Sequence, residues 1–92
     1  MRRKWITEEY GGEPYTYLPI TEHIVNAKGV CNGRPTFKYT RIEPILMLSM
    51  MTGQGCTVDD ILYHRPQLCR EAIEEAQEAY LDGRLKRYNR NF

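Results

Sequence analysis

The side chains that could do chemistry in this 92-residue sequence are few and widely spread. His23 and His64 are the two histidines, 41 positions apart, and no Asp, Glu and His group has metal-ligand spacing. Cys31, Cys56 and Cys69 form an odd set without a CxxC pair. Neither a disulfide framework nor a structural zinc site is therefore expected, and all three read as free thiols that pack in the interior. Cys31 lies beside a basic loop, where a thiol could be activated, but no base is placed to serve it. Nucleophile elbows, phosphate-binding glycine loops and zinc-hydrolase helices are missing from the sequence. The expectation is a protein that is not an enzyme, with no cofactor and no metal.

What remains is surface chemistry, carried by the distribution of charge, since the net charge is only +1. Residues 23–42 hold Lys28, Arg34, Lys38 and Arg41 with no acid. Residues 69–82 set Arg70 against Glu71, Glu74, Glu75, Glu78 and Asp82. Residues 83–92 hold Arg84, Lys86, Arg87 and Arg90 unopposed. Arg34, Lys38 and Arg41 could form a basic surface that meets phosphate or an acidic partner. Alternatively, Gly33 and Pro35 only shape a turn, and Arg41 bonds backbone carbonyls or Glu43.

The elements that must position these groups follow from periodicity. Residues 1–13 mix charges with Gly11 and Gly12 and show no sustained period, which predicts a mobile arm. Tyr15 to Ile20 is β-prone, with Pro19 confining it to a sheet edge or a bend, and His23 to Val25 adds a second short piece. Gly29, Asn32, Gly33 and Pro35 mark a turn-rich loop before Thr36 to Thr40, which alternates as a strand does.

Helical spacing begins after Ile42. Glu43 and Pro44 suit a first turn, Ile45, Leu46, Leu48, Met50 and Met51 would bury nearly the whole helix, and Gly53 is placed to end it. Thr57 is an N-cap for a second helix carrying Val58, Ile61 and Leu62, which stops by Arg65 because Pro66 follows. Cys69 to about Leu81 is the clearest helix, with a stripe of Ala72, Ile73, Ala76, Ala79 and Tyr80. Gly83 then closes it, and the residues beyond either prolong the helix or trail off.

The expected fold is mainly α, a three-helix bundle preceded by a short β-hairpin or arm. Residues 1–22 form an N-terminal arm that could include an edge strand, 23–82 a β-arm with the three helices, and 83–92 a basic tail. Hydrophobic residues at 41% and charged residues at 27% fit one small globular domain. The apolar run from Ile45 to Met51 is far short of the roughly 20 residues a membrane span needs. Arg2, Arg3 and Lys4 are followed by Glu8, Glu9 and Glu13, not by an apolar signal core, so a cytoplasmic protein is expected.

The stretch from Gly29 to Ile42, GVCNGRPTFKYTRI, resembles the signature of domain-of-unknown-function family 433. Residues 53–61, GQGCTVDDI, and 65–73, RPQLCREAI, are similar to its continuation. The resemblance spans residues 23–80. It implies a small bacterial protein with a homeodomain-like helix-turn-helix, and a VapB-type antitoxin encoded beside a PIN-like ribonuclease toxin. Asn32 and Tyr39 stand where the family often has glycine, and Cys69 replaces a Thr or Ser cap. Because a tyrosine does not readily take positive φ, the turn before Thr40 and Arg41 is expected to differ.

On that resemblance, Cys69–Leu81 would be the recognition helix of a homodimer bound to operator DNA. Arg70 and Gln77 would approach bases, and Arg84, Lys86, Arg87 and Arg90 would hold the backbone. The net charge of −4 over residues 69–82 opposes deep insertion in a groove. The toxin would be neutralised by acids of the arm, Glu8, Glu9 or Glu13, or by the glutamate-rich helix. Met47, Met50 and Met51 offer an adaptable face for a second copy or for the toxin. The alternative is a dimerisation or protein-interaction module that binds no nucleic acid.

Overall fold

Gly11 and Gly12 are the two central residues of a tight hairpin, and both have positive φ, 63° and 81°. A two-residue type I′ turn demands this pairing, and its twist matches that of the flanking strands. The computed structural model, which describes residues 3–89, places β1 (Ile6–Tyr10) and β2 (Glu13–Pro19) on either side of the turn. They pair antiparallel from Tyr10 opposite Glu13 to Ile6 opposite Tyr17. With β3 (Ile24–Ala27) and β4 (Pro35–Phe37) they make one four-stranded antiparallel sheet in the order β1-β2-β3-β4.

This sheet corrects the expectation of a mainly α, homeodomain-like three-helix bundle with a short β-arm: the fold is α+β. The reason lies in how each strand is buried. β1 is an edge strand largely exposed on both faces, so it carries no alternation to betray it. β3 is buried at all four positions and β4 at all three, too short for a period of two to register. Residues 6–13, expected to be mobile, are instead paired along the whole length of β1.

Among the described residues four α-helices follow the sheet: α1 (Pro44–Gln54), α2 (Val58–His64), α3 (Arg70–Leu81) and the short α4 (Arg84–Arg87). α1 runs past Gly53 and ends at Gly55, whose φ of 71° supplies the left-handed cap. The start of α2 is a full capping box. Thr57 Oγ1 accepts from the Asp60 N–H at 3.1 Å, and Asp60 accepts from the Thr57 N–H at 2.8 Å. Those bonds hold the Asp60 carboxyl below its usual range.

The main core lies between one face of the sheet and the helices. Ile24 and Phe37, cross-strand partners, pack against Met47, Ile61, Leu68, Ile73 and Leu85. Ala72, Ala76 and Ala79 let α3 approach closely, whereas Tyr80, expected in that stripe, is 59% exposed. The opposite face of the sheet carries a smaller cluster of Tyr17, Val25 and Ala27 with Tyr15 and Val30 against it.

Asn26 is the buried polar hub of the fold, with 1% of its surface exposed. Its Nδ2 donates to the Gly33 carbonyl at 2.7 Å and the Tyr88 carbonyl at 2.9 Å, while its Oδ1 accepts from the Arg3 guanidinium. Among the described residues, no helix is long and apolar enough to cross a membrane.

Candidate functional site

The signature loop runs from β3 through β4 into α1, and most of its polar side chains are engaged internally. Cys31, Asn32 and Gly33 have φ of 50°, 54° and 78°, so three successive residues turn left-handed and bring Arg34 to the start of α1. Arg34 grips Glu43 with two bonds, Nε to Oε1 at 2.8 Å and Nη2 to Oε2 at 3.2 Å. Glu43 is thus the partner of Arg34, where Arg41 was expected. Pro35 is buried as the first residue of β4. Thr40 Oγ1 donates to the Phe37 carbonyl at 2.8 Å and accepts from the Ile42 N–H at 3.0 Å, closing the turn. Cys31 donates its thiol proton to the Arg41 carbonyl at 3.4 Å, and the Arg41 side chain is exposed.

Tyr39 adopts φ of 68°, so the turn keeps the left-handed geometry that a glycine would give, contrary to expectation. Its surroundings explain why it is tolerated. The ring stacks on Tyr10 with centroids 4.3 Å apart, its N–H donates to the Tyr15 hydroxyl at 2.9 Å, and its hydroxyl donates to Glu8. Tyr17 donates to the other Glu8 oxygen at 2.8 Å. Lys38 Nζ lies 3.6 Å from Glu8, 4.6 Å from the Tyr17 ring centre and 5.0 Å from that of Tyr39.

Charge follows this geometry. The Tyr39 and Tyr17 hydroxyls hold the Glu8 carboxyl below its usual range, with Lys38 adding to the effect. Glu8 in turn pushes the Tyr39 hydroxyl up. Burial works against the Lys38 charge, but the Tyr17 and Tyr39 contacts outweigh it and raise the ammonium above the usual lysine range. Arg34 and Lys38 are therefore each paired with an acid within the fold, while Lys38 and Arg41 line one groove with Tyr39 and Thr40.

Beside this turn a groove opens between the sheet and the first turn of α3, lined by His23, Phe37, Lys38, Tyr39, Gln67 and Cys69. Glu75 bonds both the ring and the backbone of His23 there, and the Cys69 sulfur faces the other side of the ring. Nothing in the sequence pattern points to this trio, because His23 lies 46 and 52 positions before Cys69 and Glu75, which share α3 and its cap. Burial raises the Glu75 carboxyl, but bonds from His23 and Thr21 outweigh it and hold it below the usual range.

A second groove separates α1 from α3, lined by Ile45, Leu48, Met51, Gln77, Tyr80 and Leu81. Of the expected partner-binding residues, Met47 is buried in the core, whereas Met50 and Met51 are half-buried. Glu9 and Glu13 are exposed on the first hairpin, and Glu8 is held by its tyrosines.

The residues expected to read DNA are scattered. Arg70 is paired with Asp59, Gln77 lies in the apolar groove, and Arg84 is paired with Asp82 at 2.7 Å. Lys86 is exposed, the Arg87 guanidinium lies 4.8 Å over the Tyr88 ring, and Arg90 lies outside the described residues. A helix of 12 residues is about 18 Å long, so Arg70 and Arg84 sit at opposite ends of α3. Between them Glu71, Glu74 and Glu78 face solvent.

The segment that builds the loop, the grooves and the helical layer is also the segment that matches a known family. The model of the family described as "Protein of unknown function (DUF433)" matches residues 24–79. The chain belongs to the DUF433 family. No curated protein and no solved structure matches it. The DUF433 segment starts at the first residue of β3 and ends within α3, so β1 and β2 lie outside it. Glu8, Tyr15 and Tyr17, which brace Tyr39, are therefore supplied from beyond the DUF433 match.

Proposed function

We propose that this DUF433 protein is a partner-binding module of the antitoxin type, which covers a PIN-like ribonuclease through the groove between α1 and α3. The observation that supports this reading is the apolar groove with an acidic flank. Ile45, Leu48 and Met51 face Tyr80 and Leu81 across it, and Tyr80 and Leu81 are 59% and 84% exposed. Ile45, Leu48 and Met51 on α1 are only half-buried, so their apolar surface is left for a partner. Glu74 and Glu78 run along the outer side of α3 next to the groove. An apolar slot with an acidic border suits an apolar ridge on a cationic surface, the kind of surface that an RNA-cleaving protein presents to its substrate.

The same acids work against α3 as a DNA reader, since a duplex carries about one negative charge per 1.7 Å of its axis. Reversal of growth arrest tests the proposal: the chain is co-expressed with a PIN-like ribonuclease encoded beside it, and the two are co-purified. Restored growth together with a complex stable to gel filtration is expected. Continued arrest with the two proteins eluting separately overturns it.

A further inference from the structure

Glu75 reaches from the middle of α3 to the loop between β2 and β3 and holds His23 twice, at the backbone N–H (2.9 Å) and at ring Nδ1 (2.7 Å). A carboxylate only accepts, so in the neutral imidazole Nδ1 carries the proton and Nε2 keeps its lone pair. Cys69 Sγ lies 3.8 Å from Nε2. Cys69 occupies the cap position of α3, but its side chain makes no capping bond, so the sulfur is not committed to the helix. Glu71, two residues on in the first turn of α3, is exposed, and its carboxylate interacts with the same thiol.

We propose that His23 Nε2, Cys69 Sγ and the Glu71 carboxylate bind a zinc ion, with water in the fourth position and Glu75 orienting the imidazole from outside. Zinc bonds of about 2.3 Å to sulfur and about 2.05 Å to nitrogen, opened to a tetrahedral angle, separate those two atoms by about 3.6 Å. The 3.8 Å between Sγ and Nε2 needs only a small adjustment to meet this. Glu71, exposed in the first turn of α3, is the ligand that must swing toward the pair to complete the set. Glu75 occupies the place of the outer carboxylate that fixes tautomer and ring orientation in histidine-zinc sites. Imidazole, thiolate and carboxylate together favour zinc over calcium or magnesium, which take oxygen ligands.

Among the described residues, the ligand atoms that already lie within 4.8 Å of one another are those of Glu22, His23 and Glu75. There Nδ1 and the Glu75 oxygen already satisfy each other, so the ion belongs on the opposite edge of the ring. Glu22 contributes negative potential beside it, 3.7 Å from Nδ1. Among the described residues, the one lysine or arginine lining the groove is Lys38, and its ammonium is turned to Glu8 and the tyrosines. Bound zinc would fasten the β2–β3 loop to the start of α3 and so link the sheet to the helical layer.

Cobalt(II) and then zinc titrated into the reduced full chain test this. The expected result is a thiolate-to-cobalt charge-transfer band that zinc abolishes, together with a rise in Tm on zinc addition. C69S and H23A should lose the band, E71A should weaken binding at least about tenfold, and E75Q should weaken it roughly 10–100-fold. C31S and C56S should retain it. Absence of the band, its survival in C69S, or an affinity indifferent to H23A or E71A overturns the site. Should a variant fail to fold, imidazole nitrogen NMR of the wild type decides: zinc must move Nε2 and leave Nδ1 protonated, and an unmoved Nε2 rejects the proposal.

Discussion

Tyr39 donates its phenolic proton to Glu8, 31 positions earlier in the chain, from a backbone held in the left-handed region at φ 68°. That conformation costs an L-residue about 1–2 kcal/mol, and the cost is met by a ring stacked on Tyr10 and bonded to the first hairpin. The signature turn and the hairpin are thus mechanically one unit.

Replacing Tyr39 separates the two effects. Y39A loses the ring and keeps the strain, whereas Y39G loses the ring and relieves it. Y39G should be more stable than Y39A by about 1 kcal/mol in urea unfolding. Equal midpoints for the two variants would show that residue 39 is not left-handed.

Asn26 is buried, and its amide joins three segments of the chain. N26A strands the Gly33 and Tyr88 carbonyls and the Arg3 guanidinium without their partner, and should cost about 3 kcal/mol. A loss under about 1 kcal/mol in denaturant unfolding contradicts the hub.

Glu75 has a folded-state pKa below its ordinary value of 4.5. Its contribution is therefore present in full above about pH 4.5 and is lost as pH falls through the lower folded value. The stability gap between wild type and E75Q should be open at pH 6 and close toward pH 3. A gap that widens on acidification rejects the assignment.

Y80D and L81D change side chains that are 59% and 84% exposed, so each should shift stability by no more than about 0.5 kcal/mol. Both should nonetheless abolish binding of the ribonuclease partner. Undiminished complex formation by L81D removes the α1–α3 groove from the interface.

Much of the helical half was legible because periodicity reports burial directly. Thr57 announced the N-cap of α2, and Ala72, Ile73, Ala76 and Ala79 announced the buried face of α3. The sheet was not legible in the same way. Ile6 to Tyr10 is exposed on both faces and has no alternation, so its one local signal was the Gly11-Gly12 pair, which is also the signature of a type I′ hairpin. The charged residues misled for another reason. Arg34, Lys38, Arg70 and Arg84 each meet an acid in the fold, and only Arg84 and Asp82 are close enough in sequence for the pairing to be suspected. His23, Cys69 and Glu75 meet through tertiary structure alone, across 46 and 52 positions.

Arg3 and Tyr88 both bond Asn26, and the Arg3 guanidinium lies 4.2 Å over the Tyr88 ring. The two extremities of the described chain consequently emerge side by side. A short linker could splice them, with new ends cut at the exposed Gly53 to Gly55 corner, giving a circular permutant that preserves every strand pairing. By the same proximity, a reporter fused at one extremity crowds whatever is attached to the other.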